Sequence, residues 1–262
     1  MSGADTAQEV GSHRHANCSE VESYRDSPDL TVKASHGTAL PQKNGSDYAS
    51  AEMHVLLVAD GEPPSATLMR DLAAAADLVV AADGGADKAL SVGIQPGAVV
   101  GDLDSLSLEA RAVLPLAALH RAASPDATDL QKAIDFAIEH GAASIDIIAA
   151  GGGRADHALA NLSVLPLYRG RAKLRVVDDL FEIELVEGKA VIDAPEGTVV
   201  SLVAIGECRG VTTRGLRWEL LGYTLDFSPY GVHNEVKRSP AEVTVESGDL
   251  LLFRGRWVEK HV

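Results

Sequence analysis

Short apolar runs alternate with helical segments over the first ordered part of the chain. The first run, MHVLLVAD at residues 53–60, has the length of a β-strand and ends in an acidic residue. Over the next hundred residues this alternation predicts a parallel α/β sheet. The further predicted strands read DLVVAADGG, GAVVGDLDS, AALHRAAS and SIDIIAAGGG, and the predicted helices span residues 65–76, 86–92, 108–116 and 129–140.

The segment over residues 129–140 carries the clearest helix signals. Its apolar residues recur at helical spacing and fall on one face. Thr128 or Asp129 can cap its start, and Gly141 follows its end, where glycine commonly terminates a helix. The pattern therefore predicts an amphipathic helix packed against the sheet.

The pattern changes near residue 170, where short β-like runs follow one another without helical segments between them. Glycine, proline and aspartate separate these runs, as is typical of turns. We therefore predict an α/β domain over residues 51–175 and an all-β sandwich domain over residues 176–262. The runs read KLRVVDD, FEIELVEG, KAVIDAP, TVVSLVAIG, RGVTTRGL, YTLDF, AEVTVESG and DLLLFRG.

The first 50 residues have a different composition from the rest of the chain. They are rich in serine, histidine, aspartate, glycine and asparagine, and they show neither helical nor strand periodicity. Such a segment buries too little apolar surface to offset the entropy lost on ordering. We therefore predict that residues 1–50 form a disordered extension.

Charge and composition exclude several classes of protein. The 262 residues carry a net charge of -15 with a pI near 4.9, which argues against nucleic-acid binding through a broad basic surface. No apolar run approaches the roughly 20 residues that cross a bilayer, and the amino terminus lacks a secretory pattern. We therefore expect no membrane partner and a cytoplasmic location. Cys18 and Cys208 lack CxxC spacing, so neither zinc nor a disulfide framework is indicated.

Polar clusters follow four of the predicted strands. Taken singly, each has an ordinary structural explanation as a turn or a helix cap; Asp104 or Ser105, for example, could cap the helix near residue 108. In a parallel sheet, however, the carboxyl ends of the strands meet at one edge, where ligands bind. The clusters comprise Asp83, Gly84 and Gly85; Asp102 and Asp104; Asp126, Thr128 and Asp129; and Gly152, Gly153, Arg154, Asp156 and His157.

Converging aspartates require an opposite charge, because carboxylates held close together repel. Oxygen ligands favour a hard cation, and Mg²⁺ typically combines one or two carboxylates with water and phosphate oxygens. The sequence GGGRADH also suits phosphate, since it offers glycines, a helix amino terminus and an arginine. It matches neither GxxxxGK[ST] nor GxGxxG, which argues against P-loop and dinucleotide-binding sites. The clusters therefore predict Mg²⁺-dependent phosphate chemistry.

The four clusters resemble, in their order, the motifs of the thiamine pyrophosphokinase (thiamine diphosphokinase) family. Here they read ADGGAD, GDLDS, DATDLQKAI and GGRADHALANL, and the resemblance spans about residues 55–255. It implies an α/β catalytic domain joined to a β-sandwich, in a homodimer whose active sites are shared between subunits. It also implies transfer of diphosphate from ATP to thiamine, giving thiamine diphosphate and AMP.

The resemblance also assigns roles to individual residues. Asp102, Asp104 and Asp126 would hold Mg²⁺, and Arg154 and Asp156 would act with them in catalysis at the phosphate end of the site. The residues expected to contact nucleotide or substrate are Asp83, Gly84, Gly85, Thr128, Asp129, Gly152, Gly153, His157 and Asn161, with His233 and Asn234 in the β-rich part.

The β-rich part leaves the acceptor open. In YGVHNEV, Asn234 and Glu235 match a family motif, but His233 stands where relatives carry serine, so another heterocyclic alcohol is a second candidate acceptor. A third hypothesis is a non-catalytic module that binds thiamine diphosphate or a nucleotide, although the retained aspartates argue against it. Trp218, in another block of the family pattern, is expected to pack in the core, with stacking against substrate as the alternative.

Overall fold

A computed structural model of the protein describes residues 52–122, 124 and 126–259. The predicted disordered extension over residues 1–50 lies outside the described residues. Within them, a parallel α/β part is followed by a β-rich part, which confirms the predicted fold class.

Parallel strands build the first part of the sheet, in the order β4-β3-β2-β1-β5-β6. Helices connect most of them, as the alternating pattern predicts. The strands are β1 (Met53–Val58), β2 (Leu78–Ala82), β3 (Ala98–Gly101), β4 (Leu119–Arg121), β5 (Ala142–Ile148) and β6 (Lys173–Val177). The helices are α1 (Ala66–Ala75), α2 (Gly85–Ser91), α3 (Leu108–Val113), α4 (Asp129–Glu139), α5 (Ala155–Leu162) and α6 (Val164–Leu167).

The strand order reverses at β1. Strands β2 to β4 extend the sheet on one side of β1, whereas β5 and β6 extend it on the other. In open α/β sheets, ligands bind outside the carboxyl ends of the strands at such a reversal. The ends of β1 and β5 therefore mark the expected position of a site.

The two faces of this sheet are buried by different helices. On β1, Val55 and Leu57 pack in one core cluster with residues of α4, while Leu56 and Val58 pack in a second cluster with residues of α1, α2 and α3. Successive strand residues point to opposite faces, so a strand covered on both sides reads as a continuous apolar run. This explains the sequence VLLV in the middle of the sheet.

The segment between β3 and β4 differs in detail from its prediction. Helix α3 ends at Val113 rather than near residue 116, because Leu114 is extended before Pro115, a position where helical backbone is disfavoured. A short 3-10 turn follows, and β4 is only three residues long. The residue that caps α3 is Ser107, whose hydroxyl accepts from the Ala110 amide, and not Asp104 or Ser105.

The β-rich part continues the same sheet through β6-β7-β13-β9-β12-β8, with antiparallel pairing from β7 onwards. A third core cluster lies within this part. Its strands are β7 (Phe181–Leu185), β8 (Lys189–Ile192), β9 (Thr198–Arg214), β10 (Tyr223–Leu225), β11 (Asn234–Glu235), β12 (Ala241–Thr244) and β13 (Ser247–Val258).

Strand β9 unites two runs that the sequence pattern separates, TVVSLVAIG and RGVTTRGL. It is 17 residues long; residues 198–209 pair with β13 and residues 212–214 pair with β12. Gly206 and Gly210 have positive φ angles of 81° and 66° within the strand, which only glycine adopts easily. These positions let one strand serve two groups of partners, whereas in sequence they indicate a turn.

Among the described residues, the helices are all too short or too polar to cross a lipid bilayer.

Candidate active site

A cavity of about 740 Å³ opens at the carboxyl ends of the strands next to the reversal in strand order. Its walls come from the segments that follow β1, β2, β3 and β5 and from the starts of α4 and α5. Polar side chains and backbone from five separate segments meet in it. Among them are Asp60, Glu62, Asp83, Thr128, Asp129, the glycine loop (residues 151–153), Arg154, His157 and Asn161.

Three aspartates converge at this edge of the sheet. Asp83 follows β2, Asp102 follows β3 and Asp129 is the first residue of α4, and one carboxylate oxygen from each lies within 4.8 Å of the others. Within the part of the chain that the structure describes, this is the group that could hold a metal ion. Carboxylate oxygens are the ligands of a hard cation such as Mg²⁺.

The environment of the three carboxylates supports a bound cation. Asp83 is 3% exposed, and its Oδ1 atom is buried without a hydrogen-bond partner among the described residues. Burial is the largest cause that raises the pKa of Asp83, because it disfavours the charged form. The pKa of Asp102 is lowered, chiefly because its carboxylate accepts a hydrogen bond from the Asp104 amide. A buried carboxylate oxygen without a partner is costly unless a ligand satisfies it.

The backbone is strained where these side chains leave the strands. Asp83 and Leu103 have positive φ angles of 42° and 66°, and Ala149, at the end of β5, has one of 56°. For residues other than glycine, such angles cost on the order of 1–3 kcal/mol each and cluster at functional sites. Three strand ends that share this strain surround one cavity, which indicates that the backbone is shaped to aim the site residues.

The structure groups the aspartates differently from the sequence-based metal set. Asp102 joins Asp83 and Asp129, whereas Asp104 and Asp126 are exposed and lie outside the group. Asp104 accepts from the Ser105 hydroxyl at 3.1 Å. Asp102 and Asp104 are close in sequence, but the two aspartates grouped with Asp102 come from other segments, after β2 and at the start of α4. The spacing of the aspartates along the sequence does not reveal which three of them lie together.

Gly101, the last residue of β3, leaves room for the side chains of Asp83 and Asp129. A Cβ atom there would lie 3.0 Å from the Asp83 Cβ and 3.2 Å from the Asp129 Oδ1. The Gly101→Ala variant is therefore expected to push these side chains apart and to lower the rate of the reaction at this site by roughly 10- to 100-fold, as small displacements in active sites do. Steady-state kinetics and thermal unfolding check this prediction. Full activity in a normally folded variant would show that the carboxylate spacing is unimportant.

Gly84 and Gly85 lie at the start of α2, directly after Asp83. Gly84 is the residue before the helix, and a Cβ on Gly85 would lie 2.1 Å from the Val58 carbonyl oxygen, an impossible contact. Gly85 therefore allows α2 to approach the end of β1 closely. These glycines shape the site through packing, and neither one lines the cavity.

Thr128 and Asp129 have separate roles at the start of α4. The Thr128 hydroxyl accepts from the Gln131 amide at 3.2 Å, and the Gln131 side chain accepts from the Thr128 amide at 3.0 Å, which forms a capping box. This leaves the Asp129 carboxylate free to face Asp83 and Asp102. Lys132, one turn further on and 10% exposed, contacts Asp129 Oδ1 with its Nζ at 2.9 Å.

The segment after β5 places Arg154, Asp156, His157 and Asn161 together. Arg154 donates two hydrogen bonds to Asp156, at 3.1 and 2.6 Å, and these lower the pKa of Asp156 to about 2. The pair is exposed and stays ionised through the neutral range. Asn161 donates to the Ala150 carbonyl at 2.8 Å, which fixes the start of the glycine loop. Arg154, His157 and Asn161 line the cavity, whereas Asp156 does not.

His233 and Asn234 lie on the β-rich part and do not line this cavity. Asn234 is buried; its Nδ2 atom donates to the Trp218 carbonyl at 2.7 Å, and its Oδ1 atom accepts from the Trp218 amide at 3.1 Å. The expectation that Trp218 packs in the core is wrong, because its side chain is 55% exposed with the Arg217 guanidinium 5.1 Å from the ring centroid. Asn234 therefore presents Trp218 at the surface.

Several site residues escape the sequence analysis. Asp60 and Glu62 line the cavity from the segment after β1, and Lys88 of α2 forms an ion pair with Asp60 at 2.5 Å. The sequence signal for Asp60 is its place at the acidic end of the first strand. This signal points to a functional site only once the structure shows that β1 lies at the reversal in strand order. Lys132 lies three residues after Asp129, the spacing of an ordinary ion pair on a helix, so its position in the sequence does not mark it as a site residue.

The reversal in strand order, the group of three carboxylates, and the glycine loop beside Arg154 fit the class of enzymes that transfer phosphate groups. Comparison with known families makes the assignment specific. The family described as "Thiamin pyrophosphokinase, catalytic domain" matches residues 69–177, and "Thiamin pyrophosphokinase, vitamin B1 binding domain" matches residues 183–252. The chain belongs to the thiamine pyrophosphokinase family.

Individual relatives agree with this assignment. The thiamine pyrophosphokinase of Bacillus subtilis is 32% identical over 192 residues, which are 68% of this chain and 86% of the relative. Thiamine pyrophosphokinase 1 of Oryza sativa is 25% identical over 240 residues, 80% of this chain and 90% of the relative. The crystal structure of the Bacillus subtilis enzyme superposes with a TM-score of 0.67 at 26% identity, covering 77% of this chain and 98% of that one.

Proposed function

We propose that this protein performs the reaction of its family with the residues of the cavity described above. It transfers the diphosphate group of ATP to the hydroxyethyl oxygen of thiamine. A bond forms between that oxygen and the β-phosphorus, the bond from the β-phosphorus to the α-phosphate oxygen breaks, AMP leaves and the hydroxyl proton is released. The convergence of Asp83, Asp102 and Asp129 beside an arginine and a glycine loop carries this proposal.

Asp83, Asp102 and Asp129 would hold Mg²⁺. The buried, partnerless oxygen of Asp83 and the purely oxygen ligand set fit such an ion. When bound, Mg²⁺ supplies positive charge that offsets the charge on the phosphate oxygens. Lys132 offsets part of the negative charge of the three carboxylates through its contact with Asp129.

The glycine loop and Arg154 would bind the phosphates of ATP. The loop precedes the amino terminus of α5, where backbone N–H groups and the helix dipole favour an anion. Arg154 offers a planar pair of donors that match phosphoryl oxygens, and Asp156 holds that guanidinium in place until substrate binds. Positioning and charge stabilisation are the main requirements of phosphoryl transfer, so an activated nucleophile is not needed.

The partners and the location are further parts of the proposal. Large exposed apolar side chains of the β-rich part include Trp218 (55% exposed), Leu221 (84%), Phe227 (64%) and Tyr230 (56%). Exposed apolar side chains occur at interaction surfaces, and a second copy of this chain is the proposed partner, with His233 and Asn234 beside the partner's cavity. A monomeric mass by light scattering at micromolar concentration would contradict this dimer. The expected location is the cytoplasm.

An AMP-release assay tests the proposed reaction. With ATP and Mg²⁺, thiamine is expected to give one AMP for each thiamine diphosphate formed. Omission of thiamine or of Mg²⁺ should abolish both products. Because His233 replaces the serine expected from the resemblance, other heterocyclic alcohols are tested in parallel. Turnover with another alcohol but not with thiamine would reassign the acceptor, and nucleotide binding without any turnover would favour a regulatory module.

A further inference from the structure

Asp179 makes a paired contact with a residue far away in sequence. It lies in the turn between β6 and β7, and its two carboxylate oxygens accept from the Ser65 amide at 2.7 Å and from the Ser65 hydroxyl at 2.6 Å. The Ser65 hydroxyl in turn accepts from the Leu68 amide at 3.4 Å, as the cap of α1. One carboxylate thus fixes both the backbone and the side chain of the residue that starts α1.

Ser65 ends the loop that forms one wall of the active-site cavity. This β1–α1 loop (residues 59–65) carries Asp60, Gly61 and Glu62, which line the cavity. At the other end of the loop, the Gly61 amide donates to the Ala149 carbonyl at 2.7 Å, and the Glu62 amide donates to the Gly151 carbonyl at 2.8 Å. The loop is therefore attached to the glycine loop at one end and to Asp179 at the other.

The β1–α1 loop borders two cavities. The second, of about 470 Å³, is lined by Glu62, Pro63 and Pro64 of this loop, and it shares Glu62 and residues 151–152 of the glycine loop with the first. Asp179 lines this second cavity and does not line the first. Without the contact to Asp179, the loop would keep its attachment at the glycine loop but lose the attachment at Ser65.

We propose that Asp179 is a positioning residue for nucleotide binding: through Ser65 it holds the β1–α1 loop, and through that loop it holds the glycine loop in a shape ready for phosphate. The proposal rests on the phosphate-binding role proposed for the glycine loop. A loop held in its bound shape binds more tightly because less conformational entropy is lost on binding. Asp179 itself touches no substrate in this account.

The test combines kinetics with nucleotide binding in the full chain. Asp179→Ala is expected to raise the KM for ATP about 5- to 10-fold, with the kcat and the KM for thiamine changed by less than about threefold. Asp179→Asn keeps one acceptor oxygen and should give a smaller increase in the KM for ATP. Glu242→Gln is the matched control, because Glu242 is a surface carboxylate with one ion-pair partner, Lys189, in the β-rich part.

A double-mutant cycle separates positioning from a general loss of stability. If Asp179 acts through Ser65, the Ser65→Ala, Asp179→Ala double variant should have a KM for ATP no higher than that of Asp179→Ala alone. Amide hydrogen exchange at Gly61 and Glu62 should accelerate in Asp179→Ala and stay unchanged in Glu242→Gln. Strictly additive effects of the two substitutions, or an unchanged KM and unchanged exchange in Asp179→Ala, would overturn the proposal.

Calorimetric binding of a non-hydrolysable ATP analogue with Mg²⁺ keeps this test independent of the reaction. If the wild-type protein releases no AMP with thiamine, the proposed function fails, yet the affinity ratio between wild type and Asp179→Ala still tests the role of Asp179. A weaker affinity in Asp179→Ala, by about 5- to 10-fold, supports the proposal. Equal affinities in wild type, Asp179→Ala and Glu242→Gln contradict it.

Discussion

Asp129→Asn is expected to lower AMP release from ATP by roughly 1000-fold, because it removes a charged ligand from a site whose cation is worth several kcal/mol. Asp126→Asn, three residues earlier, is expected to change the rate by less than about threefold, since its carboxylate lies outside the group formed with Asp83 and Asp102. The pair of variants distinguishes the grouping in the structure from the one suggested by sequence spacing.

Initial rates at saturating ATP and thiamine, over a range of Mg²⁺ concentrations, measure this difference. Circular dichroism and thermal unfolding serve as controls, because Asp129 is also the first residue of α4 and contacts Lys132. A large loss in Asp126→Asn combined with near-normal activity in Asp129→Asn would favour the ligand set expected from the sequence. Equal, small losses in both would exclude a metal role for either residue.

Arg154→Met is expected to lower the kcat/KM for ATP roughly 100-fold, a loss comparable to that of a single transition-state donor in other enzymes. Arg154→Lys should recover part of this loss, because lysine keeps the charge but not the planar pair of donors. In the described structure the Arg154 side chain is 73% exposed and its partner is Asp156, so the substitution should hardly affect stability.

Arg209 provides a matched control for Arg154. It is 67% exposed and contacts Glu207, two residues away, at 2.6 Å, in an arrangement like that of Arg154 and Asp156. Arg209→Met is expected to leave the kcat/KM for ATP unchanged. If Arg154→Met behaved like Arg209→Met, the phosphate-binding role proposed for the segment after β5 would be wrong.

The sequence predicts the α/β part well because its signals are local. Alternating apolar runs and helical segments indicate β1 to β5, and the cap at Thr128 and the glycine after α4 give one helix almost to the residue. The run that forms β6 is expected in the β-rich part, but it pairs parallel with β5. The β-rich part is predicted less well. Strand β9 contains glycines that resemble turns, and the continuation of one sheet across β6 and β7 depends on pairing between distant segments.

The residue types of the candidate site can be predicted from the sequence, but not which of them lie together. Residues of the predicted clusters lie at one edge of the sheet, and Asp102 belongs both to the ligand set expected from the sequence and to the group of three aspartates in the structure. Asp83 and Asp129 join it because β2, β3 and α4 meet there, a fact of topology that spacing along the chain does not encode. The burial of Trp218 is also predicted wrongly. An aromatic residue in a β-rich block has the same apolar character whether it lies in the core or at the surface, so the sequence pattern does not distinguish the two.

The central claim is that Asp83, Asp102 and Asp129 form the cation site, and metal binding tests it most directly. Titration of Mn²⁺, as a paramagnetic substitute for Mg²⁺, is followed by electron paramagnetic resonance with a non-hydrolysable ATP analogue present. We predict that Asp129→Asn weakens Mn²⁺ binding at least about tenfold and that Asp126→Asn leaves it unchanged. Unchanged affinity in Asp129→Asn, with lost binding in Asp126→Asn, would contradict the account.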